Sequence, residues 1–197
     1  MKRHIFVFIL LFPLLAFSQL HILVAYDTQT GNTEKLAQSI AKGATIPGIE
    51  VTLKKMSDVK DETIPTFDGV IIGTPVHWSN MSAHSKEFLD RLGAALWKSK
   101  TNGDGRTAGV FCTGGGVAMG KDEARLSMIA ALLVMRFTII GGVDDSGFGT
   151  LGPEATTGPA DPGLSDKELA EGRSFGERFA RLSKQFHEVT QPKRPNP

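Results

Sequence analysis

The chain has 197 residues, 41% of them apolar and 22% charged, and its 22 Lys and Arg against 21 Asp and Glu give a formal charge of +1. That length suits one domain with a full hydrophobic core, and so even a balance points neither to nucleic acid nor to an anionic membrane surface. A single cysteine, Cys112, excludes an intrachain disulfide, so packing must supply the stability by itself.

The N-terminus reads as a secretory signal peptide over residues 1–18. "MKRH" is basic, "IFVFILLFPLLAF" is apolar, and "AFSQ" offers small residues for cleavage. The apolar run is shorter than the roughly 20 residues of a membrane span, and Pro13 interrupts it. The expected cut follows Ser18, with Ala16 at the other small-residue position; an uncleaved anchor is the alternative. Cleavage removes Lys2 and Arg3 and moves the formal charge to −1. The expectation is an exported, periplasmic protein with no stable membrane insertion after cleavage. Residues 19–190 form its domain, and 191–197 a polar, proline-rich tail expected to be disordered.

Within the domain, apolar runs alternate with segments of helical period. "HILVAY" (His21 to Tyr26) is a buried strand, and "TEKLAQSIAKG" a helix with Leu36, Ala37, Ile40 and Ala41 inward and Gly43 as its C-terminal cap. "IEVTLKKM" is the second strand, with Val51 and Leu53 alternating. "FDGVIIGTP" is the third, stopped by Gly73 and Pro75. "MSAHSKEFLDRLGAALW" is a helix with Phe88, Leu89, Leu92 and Leu96 inward. "RTAGVFCT" is a strand, "KDEARLSMIAALLVM" a helix and "FTIIGGV" the fifth strand. The last helix opens on a capping box, Ser165 followed by Glu168. This alternation argues for an α/β fold, a parallel sheet covered by helices on both faces. Ligands in such sheets sit beyond the carboxyl ends of the strands, which directs attention to four loops.

The first loop holds Thr28, Gln29, Thr30, Gly31, Asn32 and Thr33 between a strand and a helix. Helix-start amides, three hydroxyls and a glycine suit a phosphate, although neither GxxxxGK[ST] nor GxGxxG is present; a polar turn before a helix would look the same. The second loop carries Pro75, Val76, His77, Trp78 and Asn80. A flat aromatic ligand packs well on Trp78, with backbone amides at its polar edge. Against that stand a hydrophobic plug for Trp78, a solvated loop histidine for His77 and a helix N-cap for Asn80. The third loop places Thr113, Gly114, Gly115 and Gly116 together, as bare backbone against a flat ligand or as a flexible link. Cys112 reads as a buried filler and not a nucleophile. The fourth loop, Gly141 to Leu164, is long enough to be functional or disordered; its Asp144 and Asp145 lack the companions of a metal site, and no metal is expected.

These residues resemble the flavodoxin-like family, and within it the WrbA-type NAD(P)H:quinone oxidoreductases. "TQTGNT" is similar to the flavodoxin phosphate loop, and "GTPVHWSNMSAHSKEFLDRLG", "AGVFCTGGG" and "GRSFGERFARL" follow in the family's order, covering about Leu20 to Phe186. The resemblance implies a doubly wound five-stranded parallel sheet of order 2-1-3-4-5 and an FMN cofactor. Thr28 to Thr33 would hold its phosphate. Pro75, Val76, His77, Trp78 and Asn80 would line the ring, with Thr113 to Gly116 at its other edge. It also implies Trp97 beside a substrate cavity, the alternative for Trp97 being the apolar end of its helix, together with NAD(P)H as donor, a quinone as acceptor, and a homodimer or homotetramer. The chain departs from the family pattern at Thr30, where tyrosine is usual, at His77, where arginine is common, and at Val134 to Arg136, where a histidine is expected.

The chemistry would be carried by the flavin, so no side chain is singled out as catalytic. The expected function is two-electron reduction of quinones or similar acceptors. The alternative is an exported flavodoxin-like electron carrier that works with a protein partner, a role usually accompanied by a strongly acidic surface that this composition lacks.

Overall fold

A computed structural model describes residues 19–117, 119–146, 149–158 and 160–190. The signal-peptide reading of 1–18 and the tail reading of 191–197 fall outside them.

Strand β1 (Leu20–Tyr26) is apolar along nearly its whole length because both of its faces are covered. Leu23 and Ala25 join one core cluster, with Ile72, Phe88, Leu92, Met128 and Leu132, while Ile22, Val24 and Tyr26 join the other, with Leu36, Ile40, Phe111, Phe175 and Phe179. Two-residue alternation thus feeds two cores from one strand. Strands β2 (Ile49–Lys55), β3 (Gly69–His77) and β5 (Thr107–Gly114) continue the sheet, and helices α1 (Asn32–Ala44), α2 (Ala83–Lys98), α3 (Lys121–Val134) and α4 (Asp166–Thr190) cover it. The short strand β4 (Asn80–Met81) folds back antiparallel on the end of β3. With β6 (Thr138–Ile139) at its edge, the main order is β2-β1-β3-β5-β6, all parallel. Leaving out the hairpin strand β4, this is the expected doubly wound order 2-1-3-4-5.

The fifth strand departs from expectation. In place of one strand over 137–143, β6 (Thr138–Ile139) pairs with Thr107 and Ala108, and β7 (Glu154–Thr156) pairs with Cys112 to Gly114 farther along the same edge. None of the described residues between them pairs in the ladder. Gly152 lies so close to β5 that an added Cβ would sit 2.0 Å from the Val110 carbonyl oxygen.

Three further corrections concern small residues. Gly43 is inside α1, which ends at a Thr45 cap whose amide donates to the Ala41 carbonyl. It is glycine because α4 crosses there, and a Cβ would lie 1.9 Å from the Arg173 carbonyl oxygen. Gly73 and Pro75 do not stop β3, which runs on to His77. The Phe111 ring fills the space above Gly73, and beyond Gly73 only β5 pairs with β3 among the parallel neighbours, so a proline is tolerated at that free edge. The cap of α2 is Ser82, whose hydroxyl accepts from the Ser85 amide, and Asn80 belongs to β4.

Gly176 on α4 faces α1, and an added Cβ would stand 2.0 Å from the Ile40 carbonyl oxygen. Gly176→Ala should therefore lower unfolding stability by about 1–3 kcal/mol through forced separation of α1 and α4. Thermal melts of the two proteins at neutral pH check this.

Candidate functional site

The four helices begin at the carboxyl end of the sheet. Between β1 and α1, Gly31 holds φ 90, a conformation open to glycine at little cost, and no atom lies within 4 Å of where its Cβ would be. Its amide donates to the Thr28 hydroxyl (3.0 Å), and the Lys35 amide returns to the Gly31 carbonyl (3.0 Å). The amides of Asn32, Thr33 and Glu34 lie in the first turn of α1, where a helix offers no carbonyl. Among the described residues none of these three amides donates to an acceptor. Asn32 and Thr33 are nevertheless buried. Buried donors without acceptors, at the positive end of a helix dipole, are what an anion satisfies.

The pocket at this point encloses about 100 Å³ and is lined by residues of three loops: Gln29, Thr30, Asn32 and Thr33; Pro75, Val76 and His77; and Thr113, Gly114 and Gly115, with Thr157 closing it. Its floor is a buried pair of hydroxyls, Thr33 and Thr113, 2.8 Å apart, which locks α1 to the end of β5. Ten of the expected cofactor residues therefore meet in one place.

The others stand around it. Thr28 and Gly31 shape the first loop. Asn80 pairs with His77, its carboxamide oxygen accepting from the Met81 amide (2.8 Å). Gly116 lies beyond the lining, against Met119. Trp78 neither plugs the sheet nor lines the pocket. It is fully exposed at the tip of the β3–β4 hairpin, where Trp78 and Ser79 take φ 49 and φ 62. Two consecutive positive φ values match the twist of a two-residue hairpin, but they are costly for residues with side chains. Gly120, the cap of α3, presses on this turn, since a Cβ there would meet Ser79 Cα at 2.1 Å. The hairpin is thus held at the mouth of the pocket by contact from behind.

Trp97 is a correction. Helix α2 starts beside Asp27, which accepts from Ser82 Oγ (2.6 Å), and runs back to the amino end of the sheet, where Gly103 donates to the Met135 carbonyl. Trp97, one residue from the end of α2, is therefore at the far end of the domain and lines no cavity shared with the pocket.

Sequence reasoning missed the wall built behind β7. The buried Lys121 ammonium meets Glu154 (2.7 Å) and donates to the Thr156 hydroxyl (2.6 Å), while its stem packs on Gly114. Arg125 adds contacts to Asp122, Glu154 and the Gly152 carbonyl. Glu168 completes the expected capping box with Ser165 and accepts from the Thr156 amide as well (2.6 Å). Asp161 reaches over the first loop to accept from the Asn32 carboxamide (2.7 Å). These partners are 29 to 129 residues apart for Arg125–Glu154 and Asn32–Asp161, so no local spacing announces them.

The flavodoxin family model matches residues 24–120. A flavodoxin of Clostridium saccharobutylicum is 30% identical over 168 residues, spanning 84% of this chain and 98% of that protein. The chain belongs to the flavodoxin family. A second flavodoxin, from Aquifex aeolicus (strain VF5), is 35% identical over 124 residues; that match spans 62% of this chain and 65% of its relative. An Archaeoglobus fulgidus protein named NAD(P)H dehydrogenase (quinone) is 28% identical over 145 residues, 61% of this chain and 75% of its own. In structure, a flavodoxin, WrbA-like protein from Agrobacterium tumefaciens superposes with a TM-score of 0.66 at 20% identity, covering 84% of this chain and 98% of that one. In this flavodoxin-family chain the matched segment begins in β1 and ends at the cap of α3, so it contains the first three of the four loops.

Two outcomes test the charges described. Burial alone would raise the Glu168 carboxyl, but the Thr156 amide and the Ser165 amide and hydroxyl outweigh it and hold it below the ordinary glutamate value. A depressed folded-state value stabilises above the unfolded one. Glu168→Gln should therefore melt below the parent at pH 7, and the gap should close as pH falls below about 4.3. Burial also pushes the Cys112 thiol up to about 12, so it should resist a thiol reagent until the protein is unfolded in denaturant.

Proposed function

We propose that this chain binds FMN at the carboxyl end of its sheet and acts as an oxidoreductase that passes two electrons to a quinone or similar small acceptor. The observation that carries the reading is the set of acceptor-free amides at Asn32, Thr33 and Glu34, opening into a pocket walled by the two loops that a flat ring would need. Membership of the flavodoxin family and the relative named NAD(P)H dehydrogenase (quinone) support it. When bound, FMN supplies the redox chemistry.

The chain's own residues have simpler tasks. The α1 amides and the Thr30 and Thr33 hydroxyls bind a phosphate with no lysine or arginine in the lining. A dianion is then held by hydrogen bonds, as suits a resident group that is not itself transferred. Pro75, Val76 and His77 on one side, and Gly114 and Gly115 on the other, orient a ring with backbone and with little side-chain motion. Gly114 is kept bare by contact from both Lys121 and Val76. Trp78 stands beside the opening, where it screens a ring from water.

A second reading has its own support. The two relatives described at 35% and 30% identity are named flavodoxins, and Trp78, Val117 and Met119 are exposed apolar residues on the two loops that flank the pocket. A protein partner docking there would make the chain an electron carrier. Turnover of a soluble quinone with a small reductant favours the enzyme, and electron transfer only in the presence of another protein favours the carrier.

The recovered protein should be yellow, with flavin absorbance that bleaches on reduction. Gly31→Ala should weaken FMN binding by about tenfold, because a Cβ disfavours the left-handed conformation that aims the α1 amides. Fluorescence titration of the stripped protein measures both, and failure to take up FMN even when it is added during refolding ends the reading.

A further inference from the structure

The far end of the domain carries a second surface whose character the balanced overall charge conceals. The last turns of α2 and α3 diverge around a groove of about 800 Å³ lined by Gly93, Leu96, Trp97, Val134 and Met135. Trp97 and Val134 are 86% and 85% exposed, and Leu133 beside them is half-exposed. Lys98, Lys100 and Arg136 also line the groove. Among the described residues Lys98 and Lys100 have no carboxylate partner, and Asp104 meets Arg136 at 2.9 Å.

The chain enters the domain at this same end. A row of backbone hydrogen bonds crosses the sheet there: the Asp68 amide donates to the His21 carbonyl, the Thr107 amide to that of Asp68, and the Thr138 amide, two residues past Arg136, to that of Arg106. Only Ser18 and Gln19 separate β1 from the apolar segment Ile5 to Phe17. Two residues reach about 7 Å at most. Whenever that segment enters a bilayer, the amino end of the sheet is held against its surface.

We propose that this face, with Trp97 at its centre, docks on an anionic lipid bilayer. Tryptophan favours the headgroup level, where one side of the ring is apolar and the indole N–H is wet, and exposed lysines are drawn to anionic lipid. A second copy packed symmetrically on the same patch would set Lys98 and Lys100 near their own counterparts, which opposes it. No described helix is long and apolar enough to cross a membrane, so the contact made by the described domain is with the surface.

The consequence for function is directional. Strand β1 is seven residues long, so the pocket lies about 20 Å from the docked face and opens toward water. Donor and acceptor then reach it from the aqueous side, and an acceptor buried among lipid tails is out of reach. This inference does not depend on FMN.

The two tryptophans, one at each end, provide the test. The full chain is mixed with phosphatidylglycerol-containing vesicles whose acyl chains carry bromine near the headgroups. In Trp78→Phe the remaining Trp97 should lose at least about half of its emission, and in Trp97→Phe the remaining Trp78 should keep its own. Lys98→Glu combined with Lys100→Glu should reduce the loss at Trp97, with circular dichroism confirming the fold. Equal quenching of both tryptophans, or of neither, overturns the proposal. So does a Trp97 already shielded without vesicles in a chain that sediments as a dimer, which would assign the groove to a second copy.

Discussion

A polypeptide has to leave the end of β1 and begin α1 with three amides turned toward one point, and in this protein Gly31 makes that turn. Its φ of 90 is the hinge of the arrangement. The Thr28 hydroxyl fixes the loop before it, and the hydroxyls of Thr33 and Thr113 fix the helix after it. Hydrogen bonds inside the cradle leave the amides themselves free. The site is therefore rigid without being self-satisfied, and that separation between what is locked and what is left open gives it a use.

The sheet exists to hold this geometry. Because β1 is flanked by β2 and β3 and covered on both faces, its carboxyl end cannot drift, and β3 and β5 bring the other two loops to the same height. The close crossing of α1 and α4 at Gly43 and Gly176 then sets the axis along which the α1 dipole points. Lys121, Arg125, Glu154 and Glu168 pin β7 in place, and none of them lines the phosphate end of the pocket.

Much of this was readable in the residues. The strand–helix alternation gave the fold class, and the two-residue and helical periods gave the inward faces of β1 and α2, because those signals are local and strong. The first loop was legible because threonines, a glycine and a helix start crowd into seven residues. What failed was whatever depended on a distant neighbour. Gly43 looked like a helix end because a glycine that ends a helix and one that admits another helix read alike. Gly73 and Pro75 looked like a stop because nothing near them reveals the Phe111 ring or the free edge of β3. The resemblance puts Trp97 beside a cavity, and the direction of α2 carries it to the other end of the molecule. Thr157 and Asp161 were invisible for want of any local pattern.

The interrupted last position of the sheet has a bearing on how such a protein changes over generations. Two short pieces, β6 and β7, each find their own place on β5, and none of the described residues between Ile140 and Pro153 pairs in the ladder. An added stretch of sequence there would bulge outward without shifting the register of either piece. That stretch is the natural seam of the molecule, a place where length can vary while the phosphate loop stays untouched.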